Sequence, residues 1–333
     1  MRIALAITRA ASVDATWTTL HLARAALNRG HSVRFIEPWD FEIDSRGQLV
    51  ARAHAFDPPA PSAEALADAL VQRSAERRFV DLSRIDLLLL RASPLDPAVL
   101  TFAAMAQDRG VRVVNDPNGV LRVSHKAWLA AVPSACIPTT LVTRSLGAAH
   151  LFHTQQEQGV VVKPARGSGG RGVCFVPPRD AAALDTAFAA ARSRNDGYVV
   201  IQQYVVAAED GEKRLVWLDG EILGGYLRRR APGEFRHNLS QGGQAEPAEI
   251  TLADCSAIAT VTPALRAAGI RLAGIDLIGG LVTEVNALNP GGAFHTDRLT
   301  GSHLADRVIA GLTGEGTFES NATESFEWVR PET

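Results

Sequence analysis

The chain has 333 residues, 46% of them hydrophobic, and a formal net charge of −2. That length supplies two or three domains with real cores, and the near-neutral charge leaves no basic footprint for nucleic acid. No apolar run approaches the ~20 residues a membrane-spanning helix needs, and three scattered cysteines (Cys136, Cys174, Cys255) offer neither zinc spacing nor a disulfide framework. A cytoplasmic protein without membrane or nucleic-acid partners is the expectation.

Arg2–Ile7 reads as a first strand rather than a signal peptide, because its apolar stretch is too short. Thr16–Arg29 carries Leu20, Ala23 and Leu27 at helical spacing, with Gly30 as its C-cap, and His31–Ile36 is the next strand. Arg46-Gly47 marks a hairpin turn. Ile85–Leu90 is a continuous apolar run and hence a strand buried on both faces. Pro97–Arg109 is a helix stopped by Gly110, and Val111–Val114 is a strand. The alternation predicts an N-terminal α/β domain over residues 1–122 with a mostly parallel, Rossmann-like sheet. No glycine fingerprint follows its first strand. Arg91 stands at the C-terminal end of a strand, where open α/β sheets bind ligands; a surface ion pair is the alternative.

From Ser124 the texture changes. Ser124–Ala131 reads as a short helix carrying Lys126, Thr139–Val142 as a strand and Leu146–Gln158 as a helix. Then comes Val160–Val176, VVVKPARGSGGRGVCFV: an apolar strand ending in Lys163-Pro164, a glycine loop, and a second strand. A glycine hairpin of this kind lets backbone N–H groups approach a charged ligand without a Cβ in the way, and a polyphosphate beside Lys163 fits best. Gly167, Gly169 and Gly172 also match the spacing of the dinucleotide fingerprint, but a strand follows where that fingerprint requires a helix. Val173-Cys174 likewise stand where a Walker A loop needs Lys and Ser or Thr.

Helix Arg179–Arg194 and strand Tyr198–Val205 follow. Arg214–Leu218 and Glu221–Arg230 pair around the two-residue turn Asp219-Gly220, ending in the cluster Arg228-Arg229-Arg230. The stretch Ala231–Gln244, APGEFRHNLSQGGQ, has no periodicity and ends in Gly242-Gly243, the signature of a lid. After the helix Ala253–Ala268 comes AGIDLIGGLVTEVNALNPGG, two apolar strands around Gly279-Gly280. Glu284 and Asn286 share one face of the second strand. A three-residue loop through Leu281 pairs Asp276 with Glu284 and brings all three side chains together. Buried acids need a cation or a basic partner. All-oxygen donors suit Mg²⁺; an arginine answering the acid is the other reading. No covalent nucleophile motif is present, and from Gly314 the chain is polar and unpatterned, a tail over residues 314–333.

Taken in order, LLLRASPLD, VNDP with Lys126 downstream, VVVKPARGSGGRGV, IQQYV, DGEKRLVWLDGE, RHNLSQGG and GIDLIGGLVTEVNALNPGG resemble the ATP-grasp carboxylate–amine ligases, and within them bacterial glutathione synthetase. The resemblance runs from Met1 to about Leu312. It implies an N-terminal pre-ATP-grasp domain (1–122), then an ATP-grasp fold with a small subdomain (123–205) and a C-terminal subdomain with lid and metal site (206–313). It implies that Lys126, Lys163 and the loop Gly167, Ser168, Gly169, Gly170, Gly172 hold ATP phosphates. The strand Gln202, Gln203, Tyr204, Val205 would recognise adenine, and Asp210 and Glu212 the ribose. Asp276, Glu284 and Asn286 would hold two Mg²⁺ ions, with Mn²⁺ as a substitute. Arg214 and Arg230 would stand at the acceptor site, joined by Asn238 and Gly243 of the lid.

The implied reaction makes an amide from a small carboxylate and an amine through an acyl phosphate, γ-glutamylcysteine and glycine being the first pair. After Asn286 the chain reads ALNPGGAFHTDRL, a departure from the best-known bacterial enzymes where the peptide substrate would lie. A ligase for another amino-acid or peptide pair is therefore the second reading. A non-catalytic ATP-binding module is the third, opposed by the presence of both lysines and all three metal-ligand candidates. The resemblance also implies a homo-oligomer, a dimer or tetramer.

Overall fold

A computed structural model describes residues 1–194 and 196–315. The expected tail, from residue 316 on, lies outside the described residues. The first layer is built from β1 (Arg2–Ala6), α1 (Thr18–Asn28), β2 (Ser32–Ile36), β3 (Phe41–Ile43), β4 (Leu49–Phe56), α2 (Ala63–Val71), β5 (Arg77–Asp81), β6 (Leu87–Leu90), α3 (Pro97–Asp108), β7 (Arg112–Val114) and α4 (Pro117–Val123). Strands β2, β1, β6 and β7 are parallel neighbours, α1 joining β1 to β2 and α3 joining β6 to β7, and every residue of β6 is buried. The antiparallel strands β3, β4 and β5 extend one edge. The hairpin at Arg46-Gly47 is present: Asp44 accepts from the amides of Arg46 and Gln48, and Gly47 takes φ 75°.

At Ser124–Ala131, where a short helix was expected, α4 has already ended at Val123. Helix α4 begins earlier, because Asp116 caps it by accepting from the Gly119 amide and Pro117 occupies its first turn. Lys126–Ala131 is a 3₁₀ segment. A second, four-stranded sheet follows, made of β8 (Thr140–Thr143), β9 (Val160–Pro164), β10 (Cys174–Val176) and β11 (Val199–Gln203), in the order β10-β9-β11-β8. Helices α5 (Leu146–Thr154) and α6 (Ala181–Arg192) cover it, enclosing a core of Val160, Val162, Leu184, Phe188 and Ile201.

The third sheet runs β14-β13-β12-β15-β16, from β12 (Glu212–Leu218), β13 (Glu221–Arg229), β14 (Gln244–Pro247), β15 (Leu272–Ile278) and β16 (Leu281–Asn286). Helix α7 (Leu252–Ala267) starts with a Thr251/Asp254 capping box. Helices α8 (Ala293–Thr300) and α9 (Leu304–Thr313) close the described chain. This sheet and the first do not have separate interiors. Leu5, Leu20 and Phe35 share one core with Val216, Leu272 and Val308, while Leu88 and Ala103 share another with Trp217, Val261 and Ile275.

The hairpin β15–β16 meets the expectation by a different route. Its loop is the two-residue Gly279-Gly280, so Ile278 opposes Leu281, and a three-residue loop is not formed. A β-bulge between Asp276 and Leu277 restores the register, so that Asp276 opposes Glu284. Thr283 is the extra residue, and its hydroxyl donates to the Asp276 carbonyl at 3.2 Å.

Candidate active site

Side-chain alternation builds the site on one face of the third sheet. Tyr226, Arg214, Asp276 and Glu284 stand opposite one another on β13, β12, β15 and β16, making one row across four strands. Glu212 and Arg228 pair in the row beside it, and Asn286 lies two residues beyond Glu284. Asp276, only 2% exposed, receives the Arg214 guanidinium bidentately at 2.5 and 2.8 Å and lies 2.6 Å from Nη2 of Arg228. Burial alone would raise the Asp276 carboxyl, but the two guanidinium groups outweigh it and hold the group at about 2. Glu212 has the weaker bargain. Burial pushes its carboxyl up despite Arg228 at 2.8 Å. Nη2 of Arg228 lies close to both acids but is not aligned for a hydrogen bond to either, so the contact is Coulombic.

Asn286 donates to Oδ2 of Asp276 at 3.3 Å, which leaves its amide oxygen for another partner. Among the described residues no three His, Cys, Asp or Glu side chains group as metal ligands; the candidate set is two carboxylates and an amide. That donor chemistry fits a hard divalent cation. The arginine reading also has substance, because Asp276 is already answered twice.

Two lysines approach the same face, Lys126 from the 3₁₀ segment and Lys163 from the second sheet. Lys126 donates to the Gly167 carbonyl at 2.8 Å and lies 3.4 Å from Glu284. Lys163, near the end of β9, is buried and donates to the Thr283 carbonyl at 3.4 Å. Burial lowers its pKa, the expected result for an ammonium without a close carboxylate. The glycine loop carries Gly169, Gly170 and Gly172 at φ between 67° and 74°, where side chains are rarely tolerated. A Cβ on Gly170 would run into Oδ1 of Asn238.

The stretch expected as a lid lies over that loop. Arg236 donates to the Gly170 carbonyl, and Ser240 and Gln241 to that of Gly169. His237 is buried against the Ala208 carbonyl at 2.8 Å. Gly243 has no room for a side chain beside the His237 carbonyl, and Gln244 already belongs to β14.

Two cavities open on this face. The smaller is lined by Lys163, Gly170, residues 202–205, Glu212, Phe235, Asp276 and Glu284. The larger, a cleft of about 810 Å³, is lined by Lys126, Gly167, Ser168, Gly169, Arg214, Arg228 and Asn286, and on the side of the first sheet by Thr16–Thr19 and Arg91. Glu284 and Asn238 line both.

Several expected residues stand elsewhere. Arg230 follows the end of β13, pairs with Glu209 and lines neither cavity; Arg228, two residues earlier and in register with Glu212, faces the cleft instead. Asp210 is exposed and lines neither cavity, its carbonyl accepting from Arg229. Gly172 packs against Arg194, away from both cavities. The Gln202 side chain is tied to Thr140 at 3.0 Å, the amides of Gln203 and Tyr204 donate to the carbonyls of Thr139 and Gly159, and the Val205 carbonyl accepts from the Ala208 amide, while all four residues line the smaller cavity. Arg91 is not at the surface: it is 5% exposed, donates to Thr19 and to the Pro290 carbonyl, and burial brings its pKa down to about 9. Strand alternation from Tyr226 sets Arg229 aside, and the end of β13 at Arg229 sets Arg230 aside, which leaves Arg228.

Residues 1–121 match the N-terminal domain of prokaryotic glutathione synthetase, and residues 126–301 match its ATP-grasp domain. The chain belongs to the prokaryotic glutathione synthetase family. It is 31% identical to the glutathione synthetase of Synechococcus elongatus over 94% of this chain and 98% of that one. It is 38% identical to that of Thermosynechococcus vestitus over a shorter stretch, 60% of this chain and 62% of that protein. A solved D-cycloserine synthetase superposes with a TM-score of 0.63 at 18% identity, covering 92% of this chain and 98% of that one. A D-Ala:D-Ser ligase from Enterococcus faecalis superposes with a TM-score of 0.62 at 16% identity, covering 93% and 98%. At those identities the two structures share the fold alone. This family member is an ATP-dependent ligase of the glutathione synthetase type, an enzyme that forms C–N bonds, and enzymes of this fold work with ATP and a divalent metal ion. Among the described residues, no helix is long and apolar enough to cross a membrane.

Proposed function

We propose that the enzyme joins γ-glutamylcysteine to glycine, converting ATP to ADP and phosphate. The observation that carries this reading is the meeting of the two cavities at Glu284 and Asn238. The smaller cavity is lined by residues 202–205 together with Lys163, a pairing that suits an adenine and its phosphates. The larger cleft, with Arg214, Arg228 and Arg91 in its walls, suits a carboxylate-bearing peptide. A substrate carboxylate oxygen attacks the γ-phosphorus and ADP leaves; the amine then attacks the acyl carbon and phosphate leaves. Lys126, Lys163 and the glycine-loop amides hold the phosphates, and the arginines steady the oxyanion as the amide forms. Asp276, Glu284 and Asn286 would hold two Mg²⁺ ions, for which Mn²⁺ can substitute, and these would neutralise charge on the transferring group. The lid residues Arg236, Asn238 and Ser240 keep water from the activated carboxylate.

A second reading, a ligase for a different amino-acid or peptide pair, is favoured by one observation. Phe294 and His295, in the stretch that departs from the family pattern, line the cleft beside Tyr226, the His295 ring centroid lying 5.1 Å from that of Phe294 and 5.3 Å from that of Tyr226. We place the enzyme in the cytoplasm as a homo-oligomer, the latter to be checked by light scattering. The deciding test is product analysis with γ-glutamylcysteine, other dipeptides and single amino acids, each with glycine and ATP. ADP and phosphate are expected, and Glu284→Gln, nearly isosteric, should lower kcat at least about a hundredfold while the protein stays folded. AMP among the products, or full activity in Glu284→Gln, would overturn the mechanism. Activity with another pair alone would select the second reading.

A further inference from the structure

The motif Val114-Asn115-Asp116-Pro117 has no part in the chemistry above, yet Asn115 is one of the most constrained polar side chains in the molecule. It follows β7, at the end of the first sheet, and is 2% exposed. Its Oδ1 accepts from the amides of Arg271 and Leu272 at 2.8 and 2.9 Å. Its Nδ2 donates to the carbonyls of Leu272 and Ala287 at 2.7 and 2.6 Å. A primary amide has two donors and two lone pairs, so all four capacities are in use. Leu272 is the first residue of β15, and Ala287 directly follows Asn286, the last of β16. One side chain from the N-terminal domain thus ties together both ends of the hairpin that carries Asp276, Glu284 and Asn286.

We propose that Asn115 is a positioning residue for the cation site, setting where Asn286 stands relative to Asp276 through its grip on Ala287 and Leu272. The proposal rests on the reading of those three residues as metal ligands and adds a residue that touches none of them. Partners of this kind behind a ligand set typically change metal affinity about 10–100-fold when removed. The adjacent Asp116 supplies the control. It belongs to the same joint, but its amide donates to the Gly269 carbonyl at 3.1 Å and its carboxylate accepts from Gly119 in capping α4 and from Gln107, rather than bonding Leu272 or Ala287.

The test is Mn²⁺ binding to the enzyme–ADP complex, read as free Mn²⁺ by electron paramagnetic resonance. Asn115→Asp keeps an acceptor for the two amides but sets a carboxylate oxygen against the Leu272 and Ala287 carbonyls. Its Mn²⁺ dissociation constant is expected to rise about tenfold, with metal-free ADP binding unchanged. Asp116→Ala should lower the melting temperature and leave Mn²⁺ binding as in the wild type. Asn115→Ser removes the two donors without adding charge and replaces Asn115→Asp should that variant not fold. Wild-type Mn²⁺ affinity in the Asn115 variants, or equal weakening by Asp116→Ala, would overturn the proposal, as would failure of both Asn115 variants to fold. Absence of Mn²⁺ binding by the wild-type complex would overturn the metal-site reading itself, and this inference with it.

Discussion

Lys163 is a cation folded into a cavity whose nearest protein partner is a carbonyl at 3.4 Å. Because burial lowers its pKa below the ordinary 10.5, the unfolded chain binds the proton more tightly than the native one. Stability from this group therefore rises with pH through the window between the lowered value and 10.5. A bound phosphate reverses the bias by favouring the charged form. Binding ADP should accordingly take up a fraction of a proton in the alkaline range, and affinity should fall as pH rises toward 10.5. Calorimetry in two buffers of different ionisation enthalpy measures that uptake, and Lys163→Arg, which does not titrate there, should abolish it. Uptake unchanged in Lys163→Arg would assign the proton to another group. Lys163 and the acids of the hairpin were legible in the sequence because each sits where a strand pattern stops obeying its own apolar rule. Arg228 was not, since three adjacent arginines look alike until the strand register separates them.

Among the elements, the lid and the glycine loop are two irregular stretches that fit only each other. Gly170, at φ 70°, faces Asn238 with no space for a methyl group, and three lid side chains donate to the carbonyls of Gly169 and Gly170. Gly170→Ala should cost about 1–3 kcal/mol of closed-lid stability through the strained backbone and the collision together. In the wild type, trypsin cleavage at Arg236 should slow when ATP, Mg²⁺ and acceptor are added; in Gly170→Ala most of that protection should vanish. Equal protection in both would show that the lid closes without this contact. The strand–loop–strand pattern was readable around the glycines because apolar runs bracket them. The hairpin β15–β16 shows the limit. Its face assignment followed from the need to bring two acids together, but a bulge at Thr283 rather than a longer loop delivers it, and a bulge leaves no mark in an alternating sequence. Helix α9 could have been read, since Leu304, Val308, Ile309 and Leu312 are at helical spacing and buried.

At the scale of the molecule, the order of the sequence and the order of folding units differ. The N-terminal and C-terminal sheets share both large cores, whereas the four-stranded sheet between them in sequence keeps a core of its own. Arg29, directly after α1, closes the shared unit on the outside: its side chain, 4% exposed, pairs bidentately with Asp306 of α9 at 2.8 and 2.7 Å. Asp306 is partly open to water, so removing its partner should cost about 1–2 kcal/mol, less than for a fully buried pair. Native-state hydrogen exchange should then show Arg29→Ala lowering the protection of β1, β6, β12 and β15 together, by a common amount. Strands β9 and β11 should be unaffected, because no part of their core depends on the clasp. Loss confined to β1 and β6 would mean that the two outer sheets open independently, and the shared core would then not be the cooperative unit. Common loss extending to β9 and β11 would make the whole chain one unit and remove the freedom of the central sheet to carry Lys163 and the glycine loop toward the hairpin.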